Sequence, residues 1–446
     1  MGLANTFSFL TIFLLHLLII STANGVNDPC ASSSSDDSDL SIFHVYGKCS
    51  PFSPPKRELS WFDTVVDMAK KDPQRLAYLS SLLVNKKATS VPVASGLQVL
   101  GVGNYIVRAR FGTPGQLMFM VMDTSNDNAW IPCTGCVGCS SATLFTPNTS
   151  TTYGPMDCGE AQCTQVQGFA CPDSGSSPCL FNHTYGGDSS FTATLSHDSL
   201  TLGTDVIPSY AFGCVNSVSG KSVPPQGLLG LGRGPMSLLS QSGSLYSGVF
   251  SYCLPSFKSY YFSGSLKLGP TGQPKNIKTT PLLHNPHRPS LYYVNLEGIS
   301  VGKARISVPA ELLAFDTNTG AGTVIDSGTV ITRFVEPVYT ALRDEFRKQV
   351  GGPISSLGAF DTCFVPSSEA EAPAVTLHFT GMDLKLPMEN TLIHSSAGTL
   401  ACLAMAAAPS NVNSVLNVIA NLQQQNLRIL FDVTNSRLGI ARELCN

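Results

Sequence analysis

The feature that most restricts what this chain can become is a short pattern that occurs twice. An apolar run at 118–122 (MFMVM) ends in Asp123-Thr124-Ser125, and a second at 322–325 (GTVI) ends in Asp326-Ser327-Gly328-Thr329. Each is followed, about a hundred residues later, by another apolar run, GLLGLG at 227–232 and NVIANL at 417–422. A single aspartate at the end of a strand is ordinarily a turn residue. A matched pair in matching contexts predicts two similar lobes, each supplying one carboxylate. If the lobes face one another, the carboxylates meet, and like charges a few ångströms apart share a proton. A base and an acid then coexist at acidic pH. One carboxylate can take a proton from water while the other donates to a carbonyl oxygen, which is amide hydrolysis without a metal or a covalent intermediate. The hydroxyls of Thr124, Ser327 and Thr329 are spaced to hold such a pair in place.

The rest of the chain fits two lobes built from strands. Its 446 residues suggest two or three domains or one large two-lobed body. With 39 glycines and 29 prolines it is rich in turns. From Asn104 onward, short apolar runs alternate with Gly, Pro, Asn and Asp, the texture of an all-β protein. One helix is expected over Glu336–Val350, with Pro337 near its start. Hydrophobic residues make up 43% of the chain, which argues against disorder. The balance of 27 Lys+Arg against 30 Asp+Glu leaves a net charge of −3, so no basic face offers itself to nucleic acid.

Residues 26–95 have a different character. A Ser/Asp-rich opening and a Pro-rich stretch (PFSPP) lead into a helical pattern carried by Trp61, Phe62, Val65 and Val66, then Leu76, Leu79, Leu82 and Leu83. Before them, the apolar run from Leu10 to Ile20 is too short to span a bilayer and is followed by Ser21-Thr22-Ala23, which predicts a signal peptide over 1–25. No other run reaches membrane-spanning length, so no membrane association is expected after its removal. The 14 cysteines suit an oxidising compartment. Cys133, Cys136 and Cys139 have the look of a metal cluster, but no second pair at ligand spacing accompanies them, and disulfides are the expectation. Asn148 and Asn182 head N-glycosylation sequons.

At this level of detail the chain resembles the pepsin-family aspartic proteases, specifically the plant nepenthesin-type subgroup. The resemblance runs from about residue 104 to the end and is carried by MDTSNDNAW (122–130), IPCTGC (131–136), YGGDSS (185–190), GLLGLGRGPMSLLSQ (227–241), FSYCLP (250–255), IDSGTVIT (325–332), FDTCF (360–364) and NLQQQNLRILFD (421–432). SIFHVYGKCSPF (41–52) resembles the prosegment of plant members. The resemblance implies a bilobal fold of two β-barrel-like lobes with a central cleft, and a monomeric endopeptidase that needs no cofactor, acts on peptide or protein substrates and is blocked by pepstatin-like inhibitors. Residues 26–95 would be a propeptide, 96–288 the N-terminal catalytic lobe and 289–446 the C-terminal one. Asp123 and Asp326 match the catalytic aspartates. Tyr185 matches the tyrosine of a flap over the substrate, and Trp130 the tryptophan that supports it. The subgroup's bridges imply Cys133–Cys136, Cys139–Cys214, Cys158–Cys179, Cys163–Cys171, Cys253–Cys445 and Cys363–Cys402. An apoplast or cell-wall location is implied, with the vacuole as alternative.

Two departures stand out. Ser125 and Asn126 occupy positions where the family has Gly and Ser, and Ala420 stands where Gly is usual. The amide of Asn126 can replace the missing hydroxyl donor, so a competent dyad with a shifted pH optimum is expected. The propeptide carries Lys70, Lys71, Arg75, Lys86 and Lys87 with a single acid among them, Asp72, and predicts a cationic latch over the anionic pair. Some relatives keep the scaffold as binding or inhibitor proteins; the presence of both aspartates and the tyrosine favours an enzyme. The G-x-S-x-G match at 298–302 lies in a hairpin-like context rather than a strand-to-helix turn, so Ser300 reads as a strand residue. Glycines 230, 232 and 234 read as tight β packing rather than a phosphate loop.

Overall fold

The computed structural model describes residues 40–44, 61–70, 72–81, 105–141, 143–172, 177–184, 189–256, 264–366, 372–395, 398–410 and 414–445. The signal peptide, Tyr185, and the lysines at 71, 86 and 87 lie outside these residues, as do Leu82, Leu83 and the expected cut region between Ser90 and Asn104. No helix among the described residues is long and apolar enough to cross a membrane.

Strands dominate, and the described residues form one sheet system of 20 strands and two smaller sheets of 4. The strand Tyr105–Phe111 shows how the pattern works. Arg108 and Arg110 are exposed, while Ala109 and Phe111 are buried, the period of two that puts one face of a strand on a core. It pairs antiparallel with Gln116–Asp123, which becomes wholly buried as it approaches Asp123. The longest hairpin joins Ser190–Leu202 to Asp205–Ser219 through a two-residue turn, with Gly203 at φ 59°, where a side chain would be strained.

The internal repeat is structural. Leu228–Gly230 runs parallel beside Gln116–Asp123, aligning Gly230 with Asp123. Gly322–Ile325 runs parallel beside Leu416–Ile419 in the same manner, aligning Ile325 with Ile419. In each lobe the remote apolar run is therefore the strand that flanks the one delivering the aspartate. Val249–Cys253, Gly264–Leu268 and Leu427–Asp432 join the two lobes through antiparallel pairing, and Cys253–Cys445 staples the chain end to this platform.

The helix Glu336–Val350 forms as expected, with Pro337 in its first turn and Val338, Tyr339, Leu342 and Phe346 buried along one face. The helical pattern of the N-terminal segment resolves into two helices, α1 (Trp61–Ala69) and α2 (Asp72–Ser81). The break falls before Pro73, whose missing N–H cannot continue a helix but suits the first turn of a new one. Ahead of them, Leu40–His44 adds a strand between Tyr105–Phe111 and Gly264–Leu268. The N-terminal segment is thus built into the body of the protein.

The cysteine pairing differs from the expected one. Cys253–Cys445 and Cys363–Cys402 agree, but the other bridges are Cys133–Cys214, Cys136–Cys139, Cys158–Cys171 and Cys163–Cys179. Cys133 and Cys136 share the extended strand Trp130–Val137. Three residues of strand span about 10 Å, beyond the roughly 7 Å that a bridge can close. Cys136 instead meets Cys139 around a turn in which Gly138 has φ 79°. Cys133 reaches sideways to Cys214 on the parallel neighbour. In the second group the fully buried Cys163 and Cys179 pair with one another, leaving the more exposed Cys158 and Cys171 as partners. The sulfurs of Cys158, Cys163 and Cys171 crowd within 4.8 Å, but every one of them is consumed by a bridge.

Candidate active site

Asp123 ends its strand and Asp326 directly follows Gly322–Ile325, both buried at the seam between the lobes. Their surroundings repeat with near two-fold symmetry. The backbone N–H of Ser125 donates to Asp123 Oδ1 at 2.8 Å, and that of Gly328 donates to Asp326 Oδ1 at 3.0 Å. Asn126 Nδ2 donates to Asp123 Oδ2 at 2.6 Å, and Thr329 Oγ1 donates to Asp326 Oδ2 at 2.5 Å. The amide of Asn126 therefore fills the donor post held by a hydroxyl in the other lobe, as its sequence position suggested. Ser125, in place of the usual glycine, adds a bond of its own from Oγ to Asp123 Oδ1 at 3.0 Å.

Thr124 and Ser327 lock the halves together. Ser327 N–H donates to Thr124 Oγ1 at 3.0 Å and Thr124 N–H donates to Ser327 Oγ at 3.2 Å. Thr124 Oγ1 also reaches the Ile325 carbonyl, and Ser327 Oγ donates to that of Met122 at 3.1 Å. Beneath Asp326 lies a buried glutamine run, part of the NLQQQNLRILFD stretch, to which the sequence alone assigns no role. Gln423 accepts from Thr332 N–H, and Gln424 Nε2 donates to the carbonyls of Asp326 and Ile419. Polar residues in an otherwise apolar stretch were the available signal, since they stay buried only when fully bonded. Ala420 is buried with extended backbone, a conformation that needs no glycine.

The glycines at 230, 232 and 234 cradle Asp127. A Cβ on Gly232 or Gly234 would come within 2.3 or 2.0 Å of its carboxylate oxygens, and one on Gly230 within 2.3 Å of its carbonyl. Gly234 N–H donates to that carboxylate at 2.8 Å. These glycines serve packing, as expected. Trp130 is buried against Phe191, ring centroids 4.8 Å apart. Asn148 and Asn182 are exposed. Ser300 lies mid-strand in Leu296–Val301, bonded to His378 Nε2 at 2.7 Å, and His378 Nδ1 lies 2.7 Å from Asp383. That chain runs across neighbouring strands, without the sharp turn into a helix that an activated serine requires.

Between the two aspartates sits Arg75, from α2. Its Nη2 donates to Asp123 Oδ1 at 2.6 Å, reaches Asp326 Oδ1 at 3.3 Å and bonds Ser125 Oγ; its Nε reaches Asp326 Oδ2 at 3.4 Å. One nitrogen thus touches both carboxyls, which fixes how closely they approach. Burial alone would raise the Asp123 carboxyl, but the Arg75 charge and the bonds from Ser125 and Asn126 outweigh it and hold it below the usual carboxylate range. Lys70, by contrast, is exposed and pairs with Asp67 at 3.9 Å, so it takes no part over the dyad. Asp72, unremarked in the sequence except as the lone acid, is as deeply placed as Arg75. It accepts from the N–H groups of Val330 and Ile331 at 3.0 and 3.1 Å and lies 3.7 Å from Arg333.

Apolar burial holds these contacts in place. Phe62, Val65, Met68 and Ala69 of α1 pack with Val330, Ile331 and Leu422, while Leu76 and Leu79 of α2 pack with Leu291, Tyr293 and Val418. On the other lobe, Ser222 Oγ donates to Gln74 Oε1 at 2.9 Å.

A two-lobed β fold with a paired-aspartate seam defines a class, and comparison with known proteins agrees with it. Residues 105–270 match the family model described as xylanase inhibitor N-terminal, and residues 291–442 the one described as xylanase inhibitor C-terminal. The chain is 63% identical to aspartyl protease AED3 of Arabidopsis thaliana, over 97% of this chain and 98% of that one. It is 54% identical to aspartyl protease 25 of rice (Oryza sativa subsp. japonica), over 92% and 95%. It is 33% identical to aspartic proteinase nepenthesin-1 of Nepenthes gracilis, over 87% and 88%. Among solved structures, that of edgp superposes with a TM-score of 0.60 at 21% identity, covering 76% of this chain and 92% of that one, a likeness of fold. The chain belongs to the aspartyl protease family. It is an aspartic-type endopeptidase.

Proposed function

We propose that this protein is made as a secreted zymogen in which Asp123 and Asp326 form the catalytic dyad and residues 26–95 hold it latent. The observation that carries the reading is the single Arg75 nitrogen bonded to both carboxyls. A cation at that point occupies the space a nucleophilic water would need and holds the Asp123 carboxyl low, whereas catalysis needs one proton shared across the pair. Once Arg75 withdraws, one carboxylate can take a proton from water as the other donates to the peptide carbonyl, giving a tetrahedral intermediate that collapses with protonation of the leaving amine. Near-symmetry leaves the two roles interchangeable in sequence terms.

Acid favours the release. A carboxyl held low by Arg75 binds fewer protons in the latched form than in the open one, so falling pH shifts the balance toward opening. Maturation between Ser90 and Asn104, action at acidic pH on peptides with apolar side chains about the scissile bond, glycans at Asn148 and Asn182, a monomeric state and an apoplast or cell-wall location complete the proposal.

The test is acid incubation of the purified precursor with and without pepstatin, reading fragments by mass. Conversion to a form starting within 90–104, with peptide cleavage abolished by pepstatin and by Asp326→Asn, is the expected result. Cleavage that persists in both would overturn it.

A further inference from the structure

We propose that the cradle now filled by Asp72 becomes, in the matured enzyme, a substrate subsite that selects an acidic side chain. The inference rests on the zymogen reading above, because it requires α1 and α2 to leave. What they leave behind presents two backbone donors and a guanidinium, with the Asp326 carboxyl nearby. The N–H groups of Val330 and Ile331 each hold one oxygen of the Asp72 carboxylate. The guanidinium of Arg333 stands beside them, anchored through Nη1 to the Ala407 carbonyl at 3.0 Å.

Arg333 is only 5% exposed, and its Nε has no hydrogen-bond partner among the described residues. Its Nη2 bonds the carbonyl of Ala69, which belongs to α1 and leaves with it. Departure of the N-terminal helices therefore strips a sheltered cation of its carboxylate and of one carbonyl at once, and opens two parallel N–H donors next to it. A neutral side chain would leave that charge unmatched and a lysine would be repelled; a carboxylate satisfies all three groups as Asp72 does.

Location makes this a subsite. Asp72 lies three residues from Arg75, which marks the dyad. Three residues of helix rise about 4.5 Å, the length of one to two residues of extended peptide. The acidic side chain is therefore expected within about two positions of the scissile bond. Val330 follows Thr329, the residue that bonds Asp326, so the cradle and the dyad are parts of one loop.

The experiment uses acid-matured enzyme and pairs of synthetic peptides that differ only by Asp or Asn at each of three positions on either side of the cleaved bond. At one position, at pH 5, the Asp peptide should show at least tenfold higher kcat/KM than its Asn partner. Arg333→Met should bring the ratio to about one, and Arg333→Lys should retain part of it. Fluorescence anisotropy of the same labelled peptides, with the matured Asp326→Asn protein prepared by cleavage in trans, reads the preference without turnover. Equal kcat/KM and equal affinity for the Asp and Asn peptides at every position would overturn the subsite while leaving the protease reading intact. Loss of all peptide hydrolysis alongside a persistent Asp preference in binding would sink the protease reading and keep the subsite.

Discussion

Thr124 and Ser327 exchange hydrogen bonds in both directions across the seam, each side chain accepting from the other's backbone N–H. The exchange ties the two aspartate loops into one unit, so the spacing of the carboxyls does not depend on the lobes' wider motion. Ser327→Ala removes the acceptor of a buried N–H and the bond to Met122. Leaving that donor unsatisfied should cost about 1–3 kcal/mol of stability. Calorimetry should show a lower Tm in the variant, and kcat should fall more than KM rises, since the dyad geometry rather than substrate contact is disturbed. An unchanged Tm would mean the bonds are not what joins the loops.

Arg75→Met keeps the bulk of α2 and removes its charge. Stripping one partner from a buried pair ordinarily costs about 3–5 kcal/mol. The precursor should accordingly convert at least tenfold faster at about pH 6 than the parent. Lys70→Met should convert at the parental rate, because that ammonium faces solvent. The two time courses, followed by mass, separate a single-residue latch from a diffuse cationic one.

Asn126→Ala in the matured enzyme deletes a donor to ionised Asp123. A bond to the charged form lowers a carboxyl, so its loss should raise it and move the acid limb of the pH–rate profile upward. Asn126→Ser should restore the limb part-way, and Ser125→Gly combined with it tests the added Oγ bond. Superimposable profiles for parent and double variant would refute a shifted optimum.

The dyad was legible because its signal is local and doubled: an apolar run, an aspartate, a hydroxyl, and a remote partner strand, twice. Glycines 230, 232 and 234 were legible for packing because a carboxylate and backbone fill the space where their Cβ atoms would be. The latch was legible as positive charge but not as Arg75, since choosing among five cations depends on how α2 lands after the break at Pro73. Asp72 was hidden for the same reason. The Cys133–Cys136 expectation failed because carrying over a pairing by resemblance says nothing of strand direction, and both residues fell in one extended segment. Gln423 and Gln424 stand out in the sequence as polar residues in an apolar stretch, but their remote partners, Thr332 N–H and the Asp326 carbonyl, are not announced by it.

Asp72 gives the latch a second, opposing pH response. Burial pushes its carboxyl up to about 6, against the pull of Arg333 and of the Val330 and Ile331 N–H groups, with nearby Asp326 raising it further. Released into solvent, it returns toward 3.8. Between those values the docked helix holds the extra proton, so acidification through this window favours docking at Asp72 while it favours release at Asp123. Asp72→Asn removes the opposing response. Plotted as log rate against pH, precursor conversion should therefore rise more steeply in the variant than in the parent from pH 6 down to about 4. Below pH 3.8 Asp72 is protonated in both states and the two slopes should converge. Parallel plots across the whole range would show that Asp72 contributes only contact and no proton linkage.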